Sequence, residues 1–146
     1  MNLKNATTQQ KRNMATNHRT SIDLLQNLAK DESYGVRGRV GRNPNTPVDV
    51  LQELSKDVDV YVRRGISLNP NTPEYVLRNL IKDHHWDIRR NIGRHSKGSV
   101  NLLILLFEYE KTLKNPDHEV IIDLYENPKF PVFAKRVIET LFGDWA

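Results

Sequence analysis

The sequence predicts an all-α protein, a short α-solenoid of 26-residue helix-turn-helix repeats closed by an atypical C-terminal helical cap. Two observations carry this. Laid out with a period of 26, the chain matches itself three times, over 17–42, 43–68 and 69–94, and a fourth copy begins at His95. The apolar positions hold register through the copies. Leu25, Leu51, Leu77 and Leu103 align, as do Leu28, Leu54, Leu80 and Leu106; in the second half Val36, Val62 and Ile88 align, then Val40, Ile66 and Ile92. A spacing of three in the first half and four in the second puts each set on one face of a helix. A helix pair this small cannot bury its apolar face alone, so stacking on neighbours must close the core.

In chain order, residues 1–19 come first. This stretch is rich in Asn, Gln and Thr and almost free of large apolar side chains, and it reads as a basic, mobile arm, or at most a short helix docked on the next element. Residues 20–98 hold the three repeats. Thr20, Thr46 and Thr72 stand where an N-cap belongs, and Pro47 and Pro73 follow at the first helical position, where a missing N–H costs nothing. Asp23 and Asp49, three residues past the cap, answer the orphan amides. The first helices therefore span about 21–30, 47–56 and 73–82, and shorter second helices span about 34–42, 60–68 and 86–94. The Asn-Pro pairs at 43–44 and 69–70 end the second helices, because a residue before proline disfavours the α region. Gly41, Ser67 and Gly93 share a register that permits close approach of the next unit. Residues 99–146 read as a degenerate fourth repeat and cap with helices from Ser99 to about Leu113, Asp117 to Glu126 and Pro131 to Phe142.

Composition excludes several classes. Without cysteine there is no disulfide, no thiolate zinc site, no cysteine-ligated iron–sulfur cluster and no cysteine nucleophile. The longest apolar run, Leu102 to Phe107, is far short of the ~20 residues a membrane span needs. No secretory signal pattern or acid-free, Arg- and Ser-rich presequence opens the chain, so the expected location is cytoplasmic. The formal charge is +4, and it is unevenly placed. Residues 1–20 hold Lys4, Lys11, Arg12 and Arg19 and no acid, which leaves 18 bases and 18 acids in the remainder. From residue 99 onward acids exceed bases, eight to five.

NPNTPVDVLQELSKDVDVYVRRGISL and NPNTPEYVLRNLIKDHHWDIRRNIGR resemble repeats of the leucine-rich repeat variant family, a relative of the HEAT and armadillo solenoids. The matching features are the Asn-Pro-Asn-Thr-Pro opening, the Leu-x-x-Leu of the first helix, and an Asp followed six residues later by Arg, over about residues 17–106. The copy at Thr20–Arg42 lacks both prolines. The resemblance implies a right-handed superhelix that offers surface rather than chemistry. It also implies that Asp31, Asp57 and Asp83 with Arg37, Arg63 and Arg89 form a structural ladder of charge-assisted hydrogen bonds between successive turns. The iron–sulfur module that some relatives carry is excluded by the lack of Cys.

Five further arginines of the second helices, Arg39, Arg42, Arg64, Arg90 and Arg94, have no recurrent acid and are candidates for contact with a partner, together with Tyr61 and the tail bases Lys11 and Arg12. Tyr34 and Tyr75 would join Tyr61 if they face the same way. His84 and His85 are adjacent and diverge by about 100° on a helix, so no metal site is expected. Trp86 falls in the register of Tyr34 and Val60 and reads as core. His18, His95 and His118 read as exposed, and Glu108 and Glu110 as solvent-facing or directed at Lys111 and Lys114. Gly35-x-x-Gly38-x-x-Gly41 lacks the spacing and the preceding strand of a phosphate loop, and no nucleophile, zinc or paired-carboxylate motif is present. The expectation is a non-enzymatic module without cofactor that binds a protein along its shorter helices, or alternatively a nucleic acid along the arginine ridge. End-to-end self-association through Val132, Phe133, Val137, Leu141 and Phe142 is a further expectation.

Overall fold

The computed structural model describes residues 3–95 and 98–143, and among these it is helical throughout, with no strand. A single 3-10 turn, Leu3–Asn5, precedes α1 (Thr8–Thr16). Pairs follow: α2 (Ile22–Leu28) with α3 (Tyr34–Arg42), α4 (Val48–Leu54) with α5 (Val60–Leu68), α6 (Glu74–Leu80) with α7 (Trp86–Arg94), and α8 (Val100–Thr112) with α9 (His118–Glu126). The last helix is α10 (Val132–Phe142). The second members form a row in which α1 touches α3, α3 touches α5, α5 touches α7 and α7 touches α9.

The in-register apolar residues are the core. Leu25, Leu51, Leu77, Leu103 and Leu106 from the first helices, and Val36, Val40, Val62, Ile66, Ile88 and Ile92 from the second, are all fully buried. At about 1.5–3 kcal/mol for each side chain taken out of water, this set is the main favourable term in folding.

Three local expectations are corrected. The first helices are the shorter ones, with seven residues in α2, α4 and α6 against nine in α3, α5 and α7. Their last turns tighten to i→i−3 bonds, as in Lys30 N to Asn27 O and Asp31 N to Leu28 O, which ends the α-helix early. Thr20, Thr46 and Thr72 are not N-caps. Their hydroxyls donate backwards to the carbonyls of Met14 (2.6 Å), Val40 (2.5 Å) and Ile66 (2.7 Å), closing the C-terminal end of the preceding helix. Ser21, Pro47 and Pro73 hold the N-cap positions instead. Trp86 is 41% exposed and Tyr34 likewise faces solvent, whereas Val60 in the same register packs partly buried against the core. The Arg90 guanidinium sits 5.9 Å from the Trp86 ring centroid.

The N-terminal arm takes the second of its two expected forms: residues 8–16 are an α-helix docked on α3. A capping box starts it: the Thr7 side chain accepts from Gln10 N at 3.2 Å, and Gln10 Oε1 accepts from Thr7 N at 2.8 Å. The small Ala15, fully buried, lets α1 lie close to its neighbour, while Leu3 and Met14 pack partly buried against the core. A segment too polar to fold alone is thus held by contacts that α3 supplies.

The C-terminal helices begin within a residue of their expected starts, with Ser99, Asp117 and Pro131 at the N-cap positions. On α10 the side chains of Val132, Phe133, Val137 and Leu141 are exposed.

Candidate functional site

The row α1–α3–α5–α7–α9 is joined by two series of polar bonds, which together decide which cations remain available. In the first, Arg37 Nε and Nη2 donate to both carboxylate oxygens of Asp57 (2.7 and 3.1 Å), and Arg63 does the same to Asp83 (2.6 and 3.2 Å). The same arginines reach back with Nη1 to the carbonyls of Asp31 and Asp57, at 2.9 Å each, so one guanidinium ties three segments. The spacing of six residues therefore marks a backbone contact within a unit, whereas the carboxylate partner lies one unit further on.

Both ends of this series use other residues. Lys11 Nζ donates to Asp31 at 2.8 Å, so a tail base proposed for a partner is engaged in the stack. Arg89 Nε donates at 2.5 Å to Glu110, which is fully buried. Glu110 was expected to face solvent; instead it takes the place of the missing aspartate, and its other oxygen accepts from Asp117 N at 3.1 Å. Glu108 pairs with Lys111 at 3.0 Å. Burial alone would raise the carboxyl pKa of Asp57 and Asp83, but the bonds from Arg37 and Arg63, with those from the Asp59 and His85 amides, outweigh it and hold both below the usual range. Asp31 is lowered in the same way against its own burial, by Lys11 and the Ser33 amide.

The second series consists of buried side-chain donors at the helix C-termini. Asn43 Nδ2 donates to Ala15 O (2.8 Å) and Asn17 O (3.0 Å), and Asn69 Nδ2 to Gly41 O and Asn43 O (2.7 Å each). His95 takes the asparagine register and contacts Asn69 O through Nε2 at 2.8 Å, and Asn127 donates to Gly93 O at 2.6 Å. Carbonyls that a helix end leaves without partners are thereby satisfied by the next unit. His95 is 8% exposed, so its expected exposure is corrected; its alignment with Asn43 and Asn69 was the available signal.

Of the five partner-candidate arginines, the structure engages two firmly. Arg90 pairs with Glu119 and Asp123, and Arg94 with Asp123, over 2.5–2.7 Å; the Asp123 side chain is only 2% exposed. The bond to Asp123 raises the Arg90 pKa. These acids lie on α9, some 30 residues away and outside the repeat register, which is why spacing did not reveal them. Arg12 packs its guanidinium against Gly35, with Nε buried and unbonded.

Arg39, Arg42 and Arg64 are different. They line a cleft of about 510 Å³ over α1, α3 and α5, whose floor is Gly38 and Gly65 and whose apolar wall includes Tyr61 and Leu68. Arg39 has only the Thr16 hydroxyl, at 3.3 Å, and Arg42 has no hydrogen-bond or ion partner among the described residues. Arg64 touches Asp87 at 3.1 Å while its side chain stays 53% exposed. The floor exists because α3 and α5 approach very closely: a Cβ on Gly65 would stand 2.5 Å from the Gly38 carbonyl oxygen, and one on Gly38 would meet the Tyr61 ring at 2.4 Å. Tyr61 in turn makes an edge contact with Tyr34, centroids 6.1 Å apart.

Among the described residues no cluster of three His, Asp or Glu side chains could hold a metal, and no helix is long and apolar enough to cross a membrane. Among the described residues, fold and site together define an all-helical protein with an arginine-lined cleft on its row of second helices. Compared with known proteins, the chain matches no family model, no curated protein and no solved structure.

Proposed function

We propose that this chain is a non-enzymatic, cytoplasmic interaction module that binds a protein partner along the face of its second helices. We read its architecture as a right-handed solenoid of 26-residue units akin to the leucine-rich repeat variant and HEAT-like repeats. Helix starts at Ile22, Val48, Glu74 and Val100, and polar bonds between residues 26 apart such as Asn69 to Asn43, support that reading. The observation that carries the function is the uneven engagement of cations. Arg37, Arg63, Arg89, Arg90 and Arg94 are committed to acids of the chain, while Arg39 and Arg42 stand uncompensated beside Tyr61. Tyrosine and arginine are, with tryptophan, the side chains enriched at binding hot spots.

The test is capture from the native host with the full chain and two charge-reversal pairs. Arg39→Glu/Arg42→Glu abolishes recovery of the partner, and Lys30→Glu/Lys56→Glu, on other exposed surfaces, leaves it intact. Equal recovery by both would refute the assignment. The alternative occupant, nucleic acid, requires affinity for mixed-sequence DNA or RNA that falls linearly with salt on logarithmic axes. Undetectable binding at low salt removes it. Self-association through the exposed side chains of α10 predicts a concentration-dependent mass in sedimentation that Phe133→Asp abolishes.

A further inference from the structure

We propose that the cleft between α1, α3 and α5 receives a carboxylate side chain from an extended acidic segment of the partner, with a neighbouring apolar residue of that segment seated on Tyr61 and Leu68. This rests on the reading of the second-helix face as a partner surface and names what it recognises.

Three observations combine. First, the cleft gathers Arg39, Arg42 and Arg64, and guanidinium groups recognise carboxylates by paired, charge-assisted hydrogen bonds. Arg42 is without a partner among the described residues, and Arg39 has one weak neutral one, so their donors are open to a ligand. Second, the close crossing of α3 and α5 at Gly38 and Gly65 forms the bottom of the cleft and brings Arg39 and Arg42 of one helix to the same opening as Arg64 of the other. Third, apolar surface adjoins the charge, with Tyr61 42% and Leu68 38% exposed.

The surroundings favour a short acidic peptide over a polynucleotide. A strand tracking the row of second helices would leave the cleft and meet Asp87, then the half-exposed Glu119. Sustained nucleic-acid binding neutralises many phosphates, whereas here the arginines of α7, Arg90 and Arg94, are paired with acids of α9. Residues 21–146 carry equal numbers of acids and bases, so beyond the N-terminal segment no general field extends the local one.

The experiment uses the full ¹⁵N-labelled chain titrated with a capped peptide of glutamates interrupted by leucines, its glutamine counterpart, and an oligothymidylate. The glutamate peptide shifts the Gly38 and Gly65 amides saturably and the glutamine peptide does not. Arg39→Gln/Arg42→Gln weakens binding at least tenfold with an unchanged thermal melt, and Lys56→Gln leaves it unaltered. The proposal is overturned if no saturable shift occurs up to about 1 mM, if the glutamine peptide binds as well, if the double variant binds like the parent, or if oligothymidylate moves the same amides at lower concentration. Should the peptide fail while capture of the native partner still depends on Arg39 and Arg42, only the ligand chemistry falls. Should capture be indifferent to them too, the reading of the surface falls with it.

Discussion

A guanidinium that binds two oxygens of one carboxylate and a carbonyl of a third segment is a cross-link made of hydrogen bonds. Arg63 is such a group, and the depressed carboxyl pKa of its partner Asp83 gives the bond a pH signature. For Asp31, Asp57 and Asp83 the folded pKa lies below the unfolded one. Their contribution is therefore full above the unfolded value of about 3.9 and is lost as pH falls through the lower folded values. The urea midpoint should stay level from neutral pH to about 5 and drop below about 4, and Asp83→Asn should flatten that drop. A rise in stability on acidification would contradict the assignment. Glu110, bonded to Arg89, is the most deeply buried acid of the ladder. Glu110→Gln keeps the shape but leaves the buried Arg89 without its counter-charge, and should cost about 3–5 kcal/mol in urea denaturation. For Asn69→Asp, a carboxylate cannot donate to the carbonyls of Gly41 and Asn43 and should cost at least the ~1–3 kcal/mol of leaving buried acceptors unmet.

At the scale of the helix, the fold was legible where it depends on apolar period and obscure where it depends on polar partners. Leu25 through Leu106 and Val36 through Ile92 were placed by spacing alone, because burial of one helix face needs only the right side of the helix to be apolar. The threonines show the limit. A hydroxyl before a proline is equally suited to cap the helix ahead or the one behind, and only the turn geometry makes Thr46 donate to Val40 O. Small residues show another. In the shared register of Gly41, Ser67 and Gly93, Gly41 does lie tight against the next unit, where an added Cβ would stand 2.8 Å from Ile66 Cδ1, but the closest backbone contact is made at Gly65 against the Gly38 carbonyl. Gly65→Ala should therefore loosen α3 from α5 at a cost of about 1–3 kcal/mol, since the Gly38 carbonyl cannot yield. Gly93→Ala meets nothing nearer than 3.7 Å and should be neutral or stabilising by up to about 1 kcal/mol, as helical alanine normally is. Paired thermal melts check both.

Across the whole molecule, charge was legible in amount but not in effect. Counting placed the net +4 in residues 1–20, but folding uses Lys11 to hold Asp31 and lays Arg12 on Gly35, so the tail is part of the stack. Removing residues 1–16 would strip Asn43 of its Ala15 acceptor, leave Asp31 unpaired, and uncover α3. The truncated chain should melt at lower temperature, with the loss visible in a single cooperative transition by circular dichroism. At the other end, acids of α9 quench Arg90 and Arg94, which the repeat register could not foresee because α9 departs from it. The candidate surface accordingly contracts from five arginines to three. It lies over α1, α3 and α5, and Leu68 at its rim offers a direct probe of occupancy. A photo-activatable benzoylphenylalanine placed at Leu68 should cross-link the partner in cells of the native host, while the same group at Lys56 should not; cross-links from Lys56 with none from Leu68 would contradict the account.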